Sequence, residues 1–491
     1  MRHKAFFIFT FVTILTFFVF PLRSFADPSS IIHSNIPEDS DASEGALPLS
    51  KERLIGKIIM QQLNASDCLV TDPVVNEYLL HIGNKLFQHA GIKDYPAHFF
   101  GIETEVLNAF AFFGGHIAVH TGLIQTIDNE SELVAILAHE TAHIGQKHLP
   151  RMVAQNRKLL PLTLAQILAA AAIGVMGSPE AGAHLTMAAL AGHTQQMINY
   201  TRVHEQEADR IGIQLLAKSG YDPNAMASIF NCFQKHLQFQ TKPPEYLNTH
   251  PLYESRIADA ELRAEKLSYK QAPDSLFFHL VRARLELLRR EREGDRVKRL
   301  KAILDNGRHP NKDAALYAYA LALAKNRKFE GSLNILNSLA EKMPTNWIIQ
   351  LSVAETEHEA QQSTLALKHL RQLMALYPTN HAIVLKYAEI LLDTQSPETA
   401  RLLLLKQLKY KPEDPNLYQL LVRAEAKSGH KIDCHITQAN WHYLRGEFKE
   451  AQRQLDIALE HTSEKSPLGL RIRSRKLALE RIFEEQKSIR L

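Results

Sequence analysis

Read as apolar and polar positions, the chain of 491 residues falls into three stretches of different rhythm. An uncharged, Phe-rich run from Ala5 to Phe20 comes first, behind Arg2-His3-Lys4, and is closed by Pro21. From Lys51 to about Ala264 helical segments surround one short strand-like stretch, His116 to His120, which follows the turn signal Gly114-Gly115. After Pro273 every segment is helix-forming and rich in Leu and Ala, and the pattern repeats. Small residues recur at Ala320, Ala354 and Ala388, and again at Ser332, Ala366 and Ala400. Leu336, Leu370 and Leu404 keep the register, while Pro344, Pro378 and Pro412 close each unit. Every series has a period of 34. At that length small residues let two antiparallel helices approach, large apolar ones fill between pairs, and Pro stops the second helix.

These rhythms predict an α+β, mostly helical protein. Residues 1–26 read as a signal peptide, 27–50 as a flexible leader rich in Ser, Asp, Glu and Pro, 51–270 as a first domain with a short sheet, and 271–491 as an all-α solenoid. The signal reading rests on the positive start, the apolar run and Ser24-Phe25-Ala26, which sets small residues at −3 and −1 of a cleavage site after Ala26. The run is short for a membrane span of roughly 20 residues.

Composition narrows the class without naming a function. The 45% apolar and 22% charged residues exclude disordered and fibrous chains. Arg2, Lys4 and Arg23 contribute three of the four net charges, so the remainder is close to neutral and has no electrostatic reason to bind nucleic acid. Cys68, Cys232 and Cys434 are far apart and form no CxxC, which argues against a thiolate metal site. They read as three thiols, or as one Cys68–Cys232 bridge in the compartment that export implies.

The 24 His residues hold the candidate chemistry. His139-Glu140-Thr141-Ala142-His143 fits H-E-x-x-H within a helical stretch from Glu132 to His148. Residues four apart on a helix point the same way, so His139 and His143 offer two imidazoles to one ion. Glu140 reaches the attacking water and can take its proton. A second helix, opened by His204-Glu205-Gln206-Glu207-Ala208-Asp209, adds Glu205 as the third ligand of a zinc site whose fourth position is left to water. Asp209, one turn on, is placed to accept the outer N–H of a ligating His. Tyr200, Arg202 and His204 are candidates for stabilising an oxyanion by adjacency alone. His148, His184 and His193 lack ligand spacing relative to one another, and His116 and His120, four apart on a strand, stand about 13 Å apart, too far to share an ion.

The combination of H-E-x-x-H, a later E-x-E-A-D helix and the run Asn108-Ala109-Phe110-Ala111-Phe112-Phe113-Gly114-Gly115-His116-Ile117-Ala118-Val119-His120-Thr121-Gly122-Leu123 resembles the HtpX-like family of zinc metallopeptidases over roughly Leu54 to Ile257. Phe113 stands where that family usually has Pro. The resemblance implies a zincin-type domain holding one zinc ion per chain through His139, His143 and Glu205, with Glu140 as general base. It also implies an edge strand, Gly115-His116-Ile117-Ala118-Val119-His120, onto which substrate adds by β-augmentation. Asn248-Thr249-His250-Pro251 followed by Glu254-Ser255-Arg256-Ile257 matches a further block. His250 is there a candidate fourth, displaceable ligand that holds the site shut, or a residue that fixes its loop.

The second half resembles tetratricopeptide-repeat domains, whose concave surfaces bind protein or peptide. An export signal, an HtpX-like domain and such repeats together resemble periplasmic members of the family. That resemblance implies quality control of misfolded or stalled outer-membrane proteins, with the repeats engaging the β-barrel assembly machinery or the client. The apolar runs Leu159–Met176 and His184–Ile198 carry Pro161, Thr163 and Gln166 in the first and His184 and His193 in the second, weak for membrane spans. They read as a helical hairpin that covers the cleft or makes peripheral membrane contact. A chaperone or scaffold with a dormant peptidase site is the alternative reading.

Overall fold

Asp72 and Asn129 start the two helices around which the first domain is built. The computed structural model describes residues 47–155, 195–239, 244–269, 273–463 and 465–490. The signal peptide, most of the leader and most of the apolar hairpin, residues 159–194, lie outside the described residues. Before the repeats come α1 (Leu49–Ala65), α2 (Pro73–Ala90), β1 (His98–Ile102), β2 (Ala109–Phe112), β3 (His116–His120), α3 (Thr121–Thr126), α4 (Glu130–Gly145), α5 (His148–Gln155), α6 (Gln195–Lys218), α7 (Ala225–Phe239), α8 (Tyr246–Thr249) and α9 (Glu254–Ala264). The Asp72 carboxylate accepts from the Val74 and Val75 amides, and Pro73 occupies the first turn of α2, where no amide hydrogen is needed. Asn129 caps α4 by accepting from the Glu132 amide. The α4 helix is apolar nearly all round, with Leu133, Val134, Ala135, Ile136, Leu137 and Ala138 all buried, so it forms the centre of the domain.

The sheet has three strands in the order β1-β3-β2. The strand expected at the edge, Gly115 to His120, is therefore the central one. It pairs parallel to β1, with His98 opposite His116, and antiparallel to β2, with Ala109 opposite Val119. Both of its sides are used; the outer side of β1 is bridged by Leu69 opposite Ile102, and the open edge belongs to β2. Unlike β3, the strands β1 and β2 carry no sequence signal: each is only four or five residues long and follows no Gly-Gly turn. The β2–β3 turn needs its glycines: Gly114 and Gly115 have φ of 82° and 81°, and a Cβ on Gly115 would lie 2.5 Å from Tyr95 Cβ. Phe113, the departure from the family pattern, is buried in one apolar cluster with Ile55 and Ile59 of α1.

The second half runs through α10 (Leu276–Leu285), α11 (Glu293–Asp305), α12 (Lys312–Lys325), α13 (Phe329–Lys342), α14 (Trp347–Glu359), α15 (Ser363–Leu376), α16 (His381–Asp393), α17 (Pro397–Leu408), α18 (Pro415–Ser428), α19 (Lys431–Leu444), α20 (Phe448–Glu460) and α21 (Pro467–Arg490). Ala320, Ala354 and Ala388 are fully buried on the first helix of successive pairs, facing Ser332, Ala366 and Ala400 on the second. The change of rhythm near residue 270 does not separate two cores. One apolar cluster runs from Val70 to Ile390, through both halves. At the far end α1 is held by the solenoid: Gln61 Nε2 donates to the Tyr443 carbonyl at 2.8 Å, and Asn64 Nδ2 to that of Leu444 at 2.9 Å. All three cysteines are free thiols, so the Cys68–Cys232 bridge is not realised. Among the described residues no helix is long and apolar enough to cross a membrane.

Candidate metal centre

The crossing of α4 and α6 creates the site. Gly212 permits it, since a Cβ there would lie 3.2 Å from the His139 amide nitrogen. Glu205, Asp209 and Gly212 share one face of α6, so this close approach sets both carboxylates beside the two histidines of α4. His139, His143, Glu205 and His250 each bring a ligand atom to one place, all within 4.8 Å of one another. The His139 and His143 Nε2 atoms are 3.0 Å apart, and each is 3.4 Å from a Glu205 oxygen. His250 Nδ1 lies 3.0 Å from Glu205 Oε1, and its Nε2 lies 3.3 Å from Glu140 Oε1. The His250 ring thus stands between the would-be base and the carboxylate ligand, stacked on buried Tyr246 at 4.6 Å.

This donor set fits a divalent cation. Two imidazole nitrogens facing one another at 3.0 Å, with a carboxylate beside them, gain from a positive charge between them, and their outer nitrogens are already engaged. His139 Nδ1 is 2.9 Å from Asp209 Oδ1. Burial works against a charge on His139, yet Asp209 and Glu205 outweigh it and push its pKa up to about 10. Burial, with His139 beside it, lowers that of His143 to about 3. Glu205 resists burial and stays well below the usual carboxylate range because His250, His139 and His143 surround it.

A model of peptidase family M48 matches residues 73–264, and a tetratricopeptide-repeat model matches residues 358–425. A β-barrel assembly-enhancing protease of Yersinia pestis is 32% identical over 412 residues, covering 83% of this chain and 84% of that one. The protein of the same description from Escherichia coli K12 is 32% identical over 438 residues, covering 89% and 88%. The chain belongs to the β-barrel assembly-enhancing protease family. Similarity to the mitochondrial metalloendopeptidase OMA1 of Schizosaccharomyces pombe, 27% over 184 residues, spans 38% of this chain and 51% of that one.

As a member of that family the chain is an M48 metallopeptidase, and its remaining site residues can be placed. Glu140 is buried; its Oε2 accepts from the Ala111 amide at 3.0 Å. Burial raises its pKa, which suits a carboxylate that must hold a proton and release it. The Ala111 contact also corrects the substrate strand. In the β2–β3 pair the 108/120 pairing turns residues 110 and 112 toward β3, leaving the Ala111 amide facing outward beside α4. The edge that looks into the site is therefore β2, Ala109–Phe112. His116 instead stacks on His98 and Phe112, and His120 is buried against Phe110.

Arg256 has a larger part than its place in a motif suggested. It donates to both Asp209 oxygens at 2.7 and 2.8 Å, lies 3.0 Å from Glu205 Oε2, and donates to the Pro251 carbonyl at 2.7 Å. It therefore ties the α6 carboxylates to the loop that carries His250. Its position five residues past the T-H-P block was the available signal. Nothing in the sequence marked Tyr246. The helix of Glu205 begins at Gln195 rather than His204, and α4 ends at Gly145 rather than His148. Among the oxyanion candidates, Arg202 lies over the Tyr253 ring and His204 stacks on His148, while the Tyr200 side chain lies outside the described residues.

Proposed function

We propose that the chain is a periplasmic, zinc-dependent endopeptidase that cleaves misfolded or stalled outer-membrane β-barrel proteins, with its repeats recruiting the client or the assembly machinery. The observation that supports this reading best is the convergence of His139, His143, Glu205 and His250 on one point beside Glu140 and the β2 edge. A peptide adding to β2 as an antiparallel strand turns alternate carbonyls toward β2 and the others away from it, and lies beside Glu140. His139, His143 and Glu205 would hold a zinc ion there, which would supply Lewis acidity to the scissile carbonyl and lower the pKa of water. Glu140, held in place by the Ala111 amide, would take the proton from the attacking water and hand it to the leaving amine. His250 must swing aside for substrate to enter, which makes it a latch as well as a candidate fourth ligand. The names of the relatives support outer-membrane barrel clients; the Arg2-to-Ala26 pattern supports export.

Full-length wild-type and Glu140→Gln proteins, purified from the periplasm by osmotic shock, test the reading together. We expect one zinc per chain in both, cleavage of an unfolded outer-membrane β-barrel protein by wild type only, and crosslinked barrel clients accumulating on Glu140→Gln. Cytoplasmic recovery, full cleavage by Glu140→Gln, or a zinc-free wild type overturns it. If Glu140→Gln restores every cellular phenotype of a deletion, the scaffold reading replaces it.

A further inference from the structure

His148, which the sequence did not single out as a ligand, is buried against His143. His143 turns Nε2 toward Glu205, and its Nδ1 lies 2.9 Å from Nδ1 of His148. Two imidazole nitrogens at that distance share one proton, so one donates and the other accepts. A His143 that gives its Nε2 lone pair to a cation keeps its proton on Nδ1. His148 then accepts at Nδ1 and carries its own proton on Nε2. Glu207 Oε2 is 3.1 Å from that nitrogen, placed to receive it. The chain of donors runs one way only.

We propose that His148 and Glu207 form a positioning relay that fixes the tautomer and orientation of His143, as Asp209 does directly for His139. The inference rests on the metal reading of the site. Local structure is arranged around the contact. The α4 helix ends and α5 begins at His148 because Lys147 takes φ of 51°, a left-handed conformation that side-chain-bearing residues seldom adopt. That reversal folds the His148 ring back onto His143, one turn inside α4. From the other side the His204 ring stacks on it, with centroids 4.1 Å apart and planes at 10°. Since α6 carries His204, Glu205 and Glu207 in succession, the helix that supplies the third ligand also supports the second.

The two relays differ in kind. Asp209 is buried and clamped by Arg256, whereas the Glu207 side chain is 29% exposed, with the Arg151 guanidinium 4.0 Å away. The His143 support thus ends at the surface, and its carboxylate acts through a neutral imidazole instead of touching the ligand. Such outer partners typically contribute 10- to 100-fold in metal affinity.

Zinc affinity of the full chain, by competition with a chromophoric chelator, and the visible absorption of the cobalt-loaded protein test the relay without reference to activity. His148→Phe keeps the ring and its stacking but removes the acceptor; His148→Asn returns an acceptor near the Nδ1 position; Glu207→Gln removes only the outer charge. We expect His148→Phe to weaken zinc binding about 10- to 100-fold and to alter the cobalt spectrum. His148→Asn should recover most of the loss, and Glu207→Gln should lose less than His148→Phe. A His148→Phe protein with wild-type zinc affinity and cobalt spectrum overturns the relay, as does a His148→Asn protein no better than His148→Phe, which marks a packing effect. If His148→Phe does not fold, unchanged affinity in Glu207→Gln overturns it. A wild type that binds no zinc is the distinct failure of the metal reading itself.

Discussion

The Ala111 amide donates to Glu140 Oε2, joining the β2 edge of the sheet to the H-E-x-x-H helix through one 3.0 Å hydrogen bond. Ala111→Pro removes this donor while leaving the β2–β3 ladder intact, because the Ala111 amide takes no part in it and proline is tolerated on such an edge. Losing a hydrogen bond to a charged acceptor is worth about 1.5–3 kcal/mol, which corresponds to roughly 10- to 150-fold in rate. We expect kcat to fall by that factor with metal content unchanged, whereas a loss confined to KM would report substrate pairing at the same edge. Steady-state kinetics beside metal analysis checks it; full activity means that the amide does not position the base.

His250 contacts Glu205 and Glu140 at once and stacks on Tyr246. A ring that fills the space where water and a carbonyl must sit reduces the fraction of competent enzyme. His250→Ala leaves His139, His143 and Glu205 to hold the metal, so we expect hydrolysis of an unfolded substrate to rise, on the order of tenfold if the closed form dominates by that ratio. Unchanged or lower activity in a folded, metal-loaded variant counts against a latch.

Removing Arg256 leaves Asp209 and Glu205 buried without their cation. Breaking a buried ion pair from one side costs about 3–5 kcal/mol. Arg256→Met should therefore lower the denaturant midpoint of the chelated protein strongly, and that of the metal-loaded protein less, because the ion takes over part of the charge compensation. Arg256→Lys should rescue little, since an ammonium cannot make the bidentate contact. Equal loss with and without metal would falsify the shared role of Arg256.

The parts legible in the sequence were those carried by local spacing. H-E-x-x-H requires only that residues four apart share a helix face, and the 34-residue register of Ala320, Ala354 and Ala388 reports one buried contact repeated. Strand order was not legible, because the short apolar stretch His116–His120 reads the same whether one neighbour or two flank it. His148 was hidden for a similar reason. It reaches His143 only because Lys147 reverses the chain, and no periodicity encodes a single left-handed residue. Arg256 and Glu205 lie 51 positions apart and meet through the packing of α9 on α6, a contact that neither helix announces. The same holds for the core shared by the two halves: the change of rhythm near residue 270 is real, yet α10 packs onto α2 and α3.

Arg284 links those halves. Its Nε donates to Asp72 at 2.6 Å, at the start of α2, while Nη1 donates to Tyr317, Ser352 and Glu355 of the first repeats at 3.1, 3.0 and 3.2 Å. Arg284→Met should destabilise the chain by about 3–5 kcal/mol, mostly through the carboxylates left unpaired. Adding Glu355→Gln should then restore part of the loss, so that the double variant is less impaired than the sum of the two single ones. Chemical denaturation of the four proteins checks this; strict additivity excludes the coupling.

Glu425 on α18 sets a pH dependence of the opposite sign to that of an ordinary paired carboxylate. Burial pushes its pKa up to about 8, against the hydrogen bond from Thr437, and its Oε2 has no hydrogen-bond partner. A raised pKa in the folded state means that folding takes up a proton between about 4.5 and 8. Stability from this group is therefore greatest below the unfolded value, falls as pH rises through the window, and levels off above about 8, a change of a few kcal/mol at about 1.4 kcal/mol per unit. Glu425→Gln keeps the shape without the charge. In chelator, so that metal release does not contribute, its unfolding midpoint should exceed that of wild type at pH 8 and match it near pH 5. The difference between the two pH profiles isolates Glu425 from every other titrating group, and parallel profiles would show that its carboxyl ionises in the fold without penalty.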